Sequence, residues 1–211
     1  YRTQGIFLKK SARGETDEIL TIYTNTFGKL KILGKAIRKI TSKLRGGADI
    51  FYLSEIEFIQ GKAQKTLTDA ILIDKFFNIR NDLLKLRIAY KSAEILDELA
   101  PKEEKDERAW ELLNEVFQKL DNPQLKIVNL QLTYYYFFWN LVSILGYRPD
   151  ISGCSIVGRE INCDIIRILK VILKKDWQIL SRLRLEPTHQ KLLKNISEWY
   201  NDNVVKTHGS H

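Results

Sequence analysis

An α+β fold is what this 211-residue sequence predicts: a small five-stranded antiparallel barrel first, then an all-helical domain. Three observations predict it. Up to Asp74 the apolar residues come in short β-branched or alternating runs, separated by Gly, Asn and Asp. Beyond Asp74 they recur every three or four residues, the period of an amphipathic helix. The charge is also uneven, since residues 1–80 hold 15 Lys and Arg against 8 Asp and Glu, and the remainder holds 19 against 18.

The strands follow in order. Gly5-Ile6-Phe7-Leu8 is the first, Glu18 to Thr24 the second and Lys29 to Leu33 the third. Arg13-Gly14-Glu15 and Asn25-Thr26-Phe27-Gly28 supply the turns between them. Ile50 to Ile59 reads as the fourth strand and Lys65 to Ile73 as the fifth, across a Gly61-Lys62 turn. Five strands with short turns suit a small barrel, of which the OB-fold is the common nucleic-acid binder; a plain β-sandwich is the alternative.

The helices begin with Leu83, Leu86, Ala89, Tyr90, Ala93 and Leu96 on one face. Asp106 reads as the N-cap of a second helix through Trp110, Leu113, Val116, Phe117 and Leu120. Asn122-Pro123 separates it from a third, Leu125 to Leu145, which stops at Gly146. Ile165 to Leu173 and Leu192 to Val205 complete the set, with Pro187 opening the last. The domains expected are therefore 1–76 and 77–208. The third helix contains Tyr134-Tyr135-Tyr136-Phe137-Phe138-Trp139, which goes right around a helix. Such a helix is either central in the bundle, the preferred reading, or lines a groove for an apolar-ended peptide.

The bulk numbers set limits. The length is ample for a real core, and 44% hydrophobic with 28% charged residues is ordinary for a soluble globular protein. Cys154 and Cys163 give no disulfide framework, which fits a reduced cytosol. No signal segment opens the chain, and Gly209-Ser210-His211 resembles the edge of an expression tag. Ile127 to Leu145 has about the length of a membrane span, but Asn129, Gln131, Thr133, Asn140 and Ser143 interrupt it and Lys126 and Arg148 flank it. A buried helix is the expectation, with no membrane.

Enzyme signatures are missing. The sequence has no GxxxxGK[ST] phosphate loop, no GxGxxG between strand and helix, no GxSxG and no HExxH. His189 stands alone, and His208 and His211 lie in the tail. The run Glu103-Glu104-Lys105-Asp106-Glu107 solvates a helix start. Two cysteines, with Val157 and Ile166 at the CxxC positions, are too few for a closed zinc site. No metal, no cofactor and no catalysis are expected.

The segment from Gly28 to Ala48 carries the functional signal. It holds seven basic residues and no acid: Lys29, Lys31, Lys35, Arg38, Lys39, Lys43 and Arg45. Such a run repels itself unless a polyanion is near. All seven are candidate DNA contacts, and about six on single-strand phosphates would give a log–log salt slope of about −4. Tyr23, Phe27, Phe51 and Tyr52 flank the run and offer either stacking faces or barrel core.

These residues resemble those of a known family. Arg2-Thr3-Gln4-Gly5-Ile6-Phe7-Leu8, Gly14-Glu15-Thr16-Asp17-Glu18-Ile19-Leu20-Thr21, the basic block with Gly28-Lys29, Lys35, Arg38-Lys39, Ser42-Lys43, Gly46 and Phe51, and Leu145-Gly146-Tyr147 are similar, in order, to the RecO family of bacterial recombination mediators and DNA repair proteins. The resemblance implies an OB-fold joined to a helical domain, without catalysis. It implies binding of single- and double-stranded DNA, annealing of complementary strands, and help in loading the RecA recombinase. It implies RecR as partner, RecF in some lineages, contact with the C-terminal tail of single-strand-binding protein, and a bacterial cytoplasmic, nucleoid-associated location. Lys35, Arg38, Lys39 and Lys43 fall on the family's basic positions. Thr41 stands where a basic residue is frequent, and Ala36-Ile37 where Gly-Ala is usual. Many relatives carry four zinc cysteines near 150–166, where this chain has two, so zinc is not carried over. Tyr136 and Phe137-Phe138 stand where the family often has Arg and Phe-Glu.

The expectation is a DNA-binding, strand-annealing mediator. The rival reading is a protein-interaction adaptor whose basic barrel meets an acidic protein. An enzyme acting on nucleic acid lacks the metal-binding carboxylates it would need.

Overall fold

The five strands are longer than their apolar cores. In the computed structural model, which describes residues 1–125 and 127–208, they are β1 (Arg2–Arg13), β2 (Asp17–Thr24), β3 (Gly28–Gly34), β4 (Leu53–Gln60) and β5 (Lys65–Asp74). Lys126 and the tag-like residues 209–211 lie outside the described residues. The strands close into a barrel of order β1-β2-β3-β5-β4, with β4 returning to β1. Every pairing is antiparallel except the short parallel closure of β3 on β5. This is the OB-fold, and the sandwich alternative falls. Alternation places Phe7, Leu20, Ile22, Leu30, Ile32, Ile56, Phe58 and Leu67 in one core. β4 starts at Leu53 because Phe51 adopts a left-handed φ of 62°, which turns Ile50–Tyr52 out of strand geometry.

Helices α1 (Phe77–Arg80), α2 (Leu83–Leu99) and α3 (Glu107–Asp121) belong to the same compact unit, Tyr1–Asp121. That unit runs past the residue-76 boundary expected from periodicity. Period marks where strands give way to helices, whereas compactness follows packing. Phe117 of α3 meets Phe51 at 5.5 Å and Phe76 at 5.4 Å between ring centres. Asp82 caps α2 by accepting from the amides of Leu84 and Lys85, and Asp106 caps α3 through Arg108 and Ala109.

The second unit, Asn122–His211, is built on α4 (Ile127–Ile144), with α5 (Cys163–Leu173), α6 (Trp177–Leu180) and α7 (Pro187–Tyr200). The aromatic run of α4 takes the central position, since Tyr135, Tyr136, Phe137, Phe138 and Trp139 are all buried. Its polar atoms are matched: Trp139 Nε1 donates to Ser197 Oγ at 3.0 Å, and Asn140 Nδ2 donates to the Ile172 carbonyl at 3.1 Å. Leu145-Gly146-Tyr147 is a helix stop. Gly146 has φ of 95°, and the Tyr147 amide donates back to the Val142 carbonyl at 2.8 Å.

This unit also holds a three-stranded sheet, β6 (Ile151–Ser152), β7 (Ser155–Ile156) and β8 (Arg159–Glu160). Strands of two residues are too short to leave an alternation in sequence. Cys154 and Cys163, read as separate thiols, are joined in a disulfide with Cα atoms 4.9 Å apart. The β6–β7 turn returns the chain to the start of α5, where the Ile161 amide donates to the Cys154 carbonyl at 2.8 Å. With both sulfurs committed to each other, no thiolate is left to ligate, so zinc does not fit these residues. Among the described residues no helix is long and apolar enough to cross a membrane.

Candidate nucleic-acid interface

The basic segment is half strand and half loop, and its lysines divide accordingly. On β3, alternation sends Lys31 outward. Lys29, two residues away, lies on the same outer face but is covered there: it is 6% exposed, its ammonium donates to the Asp97 carbonyl, and Nζ lies 3.6 Å from the Asp97 carboxylate. Burial lowers the Lys29 pKa, against the raising influence of Asp97. Lys29 therefore holds α2 to the barrel, and it leaves the set of expected DNA contacts. A charge count along a sequence cannot distinguish a lysine facing water from one facing a carboxylate.

The loop from Lys35 to Gly47 presents the other five, Lys35, Arg38, Lys39, Lys43 and Arg45, all exposed. Among the described residues none of the five makes an ion pair. The loop is nevertheless held. Asp17 accepts from the Ala36 amide at 2.8 Å, and the Arg38 amide donates to the Thr16 carbonyl at 3.0 Å. The Ala36 hydrogen bond holds the Asp17 carboxyl below the usual carboxylate range. Ile37 is buried in the barrel core and Leu44 packs half-buried against it. At the far end Gly47 passes so close to β5 that a Cβ there would lie 2.0 Å from the Ala70 carbonyl oxygen. The cations thus stand on a supported arch, which makes their positions reproducible.

Behind the arch lies a cleft of about 310 Å³, lined by Lys10, Glu18, Ile37, Arg38, Arg45 and Asp49 among others. Its acids are matched from within, because Lys10 Nζ is 3.2 Å from both Glu18 and Asp49 and Arg80 reaches Asp49 at 2.8 Å. Burial raises the Asp49 pKa, but the Ile50 amide, Lys10 and Arg80 outweigh it and leave the carboxyl below its ordinary value. Arg38 and Arg45 remain as the uncompensated charges of the cleft. Asp17 and Lys10 escaped the sequence reading because each sits in what looked like an ordinary turn or strand, with no local sign that it faces the loop.

The aromatic candidates mostly take the core alternative. Phe51 is fully buried against Tyr90 and Phe117. Tyr23 is buried, and its hydroxyl is pushed up to about 12 by burial, with Asp106 and Glu104 adding to it. Tyr52 lies under the Arg80 guanidinium at 4.8 Å from the ring centre. Phe27 is half-buried and meets Phe58 edge-on at 5.5 Å. Tyr23 and Phe51 cannot stack on bases in this fold. What the site offers is a rigid, sequence-blind cationic arch.

The family model for Recombination protein O N terminal matches residues 1–76, and that for Recombination protein O C terminal matches residues 80–165. A DNA repair protein RecO from Dehalococcoides mccartyi is 31% identical over 165 residues, covering 78% of this chain and 64% of its own. The protein of that name from Acetivibrio thermocellus is also 31% identical, over 76% of this chain and 62% of its own. The one from Trichodesmium erythraeum is 26% identical over 98% of this chain and 74% of its own. The chain thus spans about 64% of the length of the Dehalococcoides relative.

Proposed function

The chain belongs to the RecO family of DNA repair proteins, and from that premise we propose that its barrel binds single- and double-stranded DNA through the Lys35–Gly47 arch and anneals complementary strands, without catalysing a reaction. The observation that carries the reading is the arch itself: five exposed cations without ion pairs among the described residues, on a loop fixed to an OB barrel. Phosphates of either strand would replace the missing counter-charges, which releases ions and gives affinity without sequence preference. Two strands held on one cationic surface repel each other less, so bases meet more often in pairing geometry.

Assistance in loading a recombinase, association with RecR and a cytoplasmic, nucleoid-associated location belong to the same proposal and rest on family membership alone. A contact with the tail of single-strand-binding protein needs a surface other than Tyr136, Phe137 and Phe138, because all three are buried. The test is annealing of two complementary labelled oligonucleotides, with and without the protein, in competition with unrelated oligonucleotides and with an acidic protein. Acceleration suppressed by any oligonucleotide supports the mediator reading. Binding that only the acidic protein displaces would replace it with the adaptor.

A further inference from the structure

A loop that crosses the outside of a barrel gains by turning its apolar side chains inward. The arch does this at both ends, with Ile37 in the core and Leu44 packed against it. Midway between them Ile40 does the opposite. It is 91% exposed, the most exposed of the large hydrophobic residues described. A single isoleucine in water is ordinary on a protein surface, but the setting of this one is not.

Arg38 and Lys39 precede it and Lys43 follows, all exposed and outside any ion pair among the described residues. Successive tight turns curl the chain around it: the Lys39 amide donates to the Ala36 carbonyl at 3.1 Å and the Ser42 amide to the Lys39 carbonyl at 3.0 Å. With Asp17 holding Ala36 and Ile37 buried, the arch presents Ile40 at a fixed height between groups that seek phosphates. A β-branched side chain has few χ1 choices and so behaves as a stiff knob. The lysine and arginine arms around it are longer, so they can hold a backbone on both sides while the shorter knob meets what lies between.

We propose that Ile40 is the base-contacting wedge of this interface: it presses on a base face and opens the stacked step beside it, while Arg38, Lys39 and Lys43 hold the flanking phosphates. The proposal rests on the DNA-binding reading of the same arch. Apolar pressure on a base face carries no donor or acceptor pattern, so the contact tolerates any sequence. It also gives annealing a second ingredient beyond charge screening, because an unstacked strand exposes its pairing edges.

The experiment uses DNA carrying 2-aminopurine, whose fluorescence rises when it leaves the stack, titrated with the wild-type chain, Ile40→Ala and Ile40→Leu across a salt series. Binding of wild type should brighten the probe. Ile40→Ala should lose the brightening and bind about ten-fold more weakly, as expected for loss of about two buried methylene-sized groups, with an unchanged salt slope. Ile40→Leu should restore most of both. If Ile40→Ala matches wild type in affinity and brightening, the wedge is overturned while DNA binding by the arch stands. If wild type does not bind the DNA at all, the binding reading falls and the wedge falls with it.

Discussion

Replacing Lys35, Arg38, Lys39 and Lys43 together with alanine should abolish most DNA affinity while leaving the fold intact. Five arch cations on single-strand phosphates give a log–log salt slope of about −3.5, and one remaining cation gives about −0.7. At about 0.1 M salt each released counterion contributes about 1 kcal/mol, so four lost contacts weaken binding by about 4 kcal/mol, several-hundred-fold in Kd. The structural cost is small, because all four side chains are exposed and, among the described residues, Arg38 alone of the four makes a side-chain hydrogen bond, a 3.5 Å contact to the Gly14 carbonyl. Fluorescence anisotropy of a labelled single strand reads the affinity and the slope, and a thermal melt reads the fold. A variant that melts like wild type, binds within ten-fold of it and keeps its salt slope would refute the assignment of the arch.

Three further outcomes follow from the same geometry. Lys29→Met, which keeps the buried stem and removes the contacts to Asp97, should lower stability by about 1–3 kcal/mol with no change in salt slope; a shallower slope would return Lys29 to the interface. Asp17→Ala, which removes the acceptor of the Ala36 amide, should weaken DNA binding relative to Asp17→Asn, which has the same charge and keeps an acceptor oxygen, by loosening the arch at Ala36. Because the Asp17 carboxyl lies below its ordinary 3.8 in the folded chain, its contribution to stability is complete above that value and is lost as pH falls through the lowered one; an NMR titration midpoint at or above 3.8 would contradict it. In the second unit, closing a loop of nine residues' separation gives the disulfide about 2–3 kcal/mol of chain-entropy stabilisation. A reductant should therefore lower the melting temperature and a chelator should leave it unchanged, whereas sensitivity to the chelator would mean a metal.

The barrel was legible because period two and glycine-marked turns act locally, and five such runs permit few closures. The cap at Asp106 and the stop at Gly146 are equally local. What stayed hidden is what depends on neighbours distant in sequence. Lys29 and Lys31 are two residues apart with the same side chain, yet one faces Asp97 and the other solvent. For Phe51 the sequence left stacking face and core both open, and a left-handed turn that sets it against Phe117 decides for burial. The residue-76 boundary marks a change of period, and contacts such as Phe76 on Phe117 join residues 41 positions apart.

The cysteine loop shows how a short segment can be ordered without a metal ion. A structural zinc contributes folding free energy where a short loop cannot bury enough apolar surface to order itself. Here Ile156 of β7 is buried, Arg159 of β8 lies over the Trp199 ring at 4.8 Å, and the disulfide ties the β6–β7 turn to the first residue of α5. These fix two of the three strands and the turn before them, so the loop is held at several points without a shared ion. The helices beneath it are cross-tied through α4, with Trp139 on Ser197 of α7 and Asn140 on Ile172 of α5, both buried. Hydrogen bonds of this kind, each costly to leave unmade in an apolar core, specify which helix faces which. The buried aromatic run is the source of that specificity, and it also removes Tyr136, Phe137 and Phe138 from any surface a partner could use.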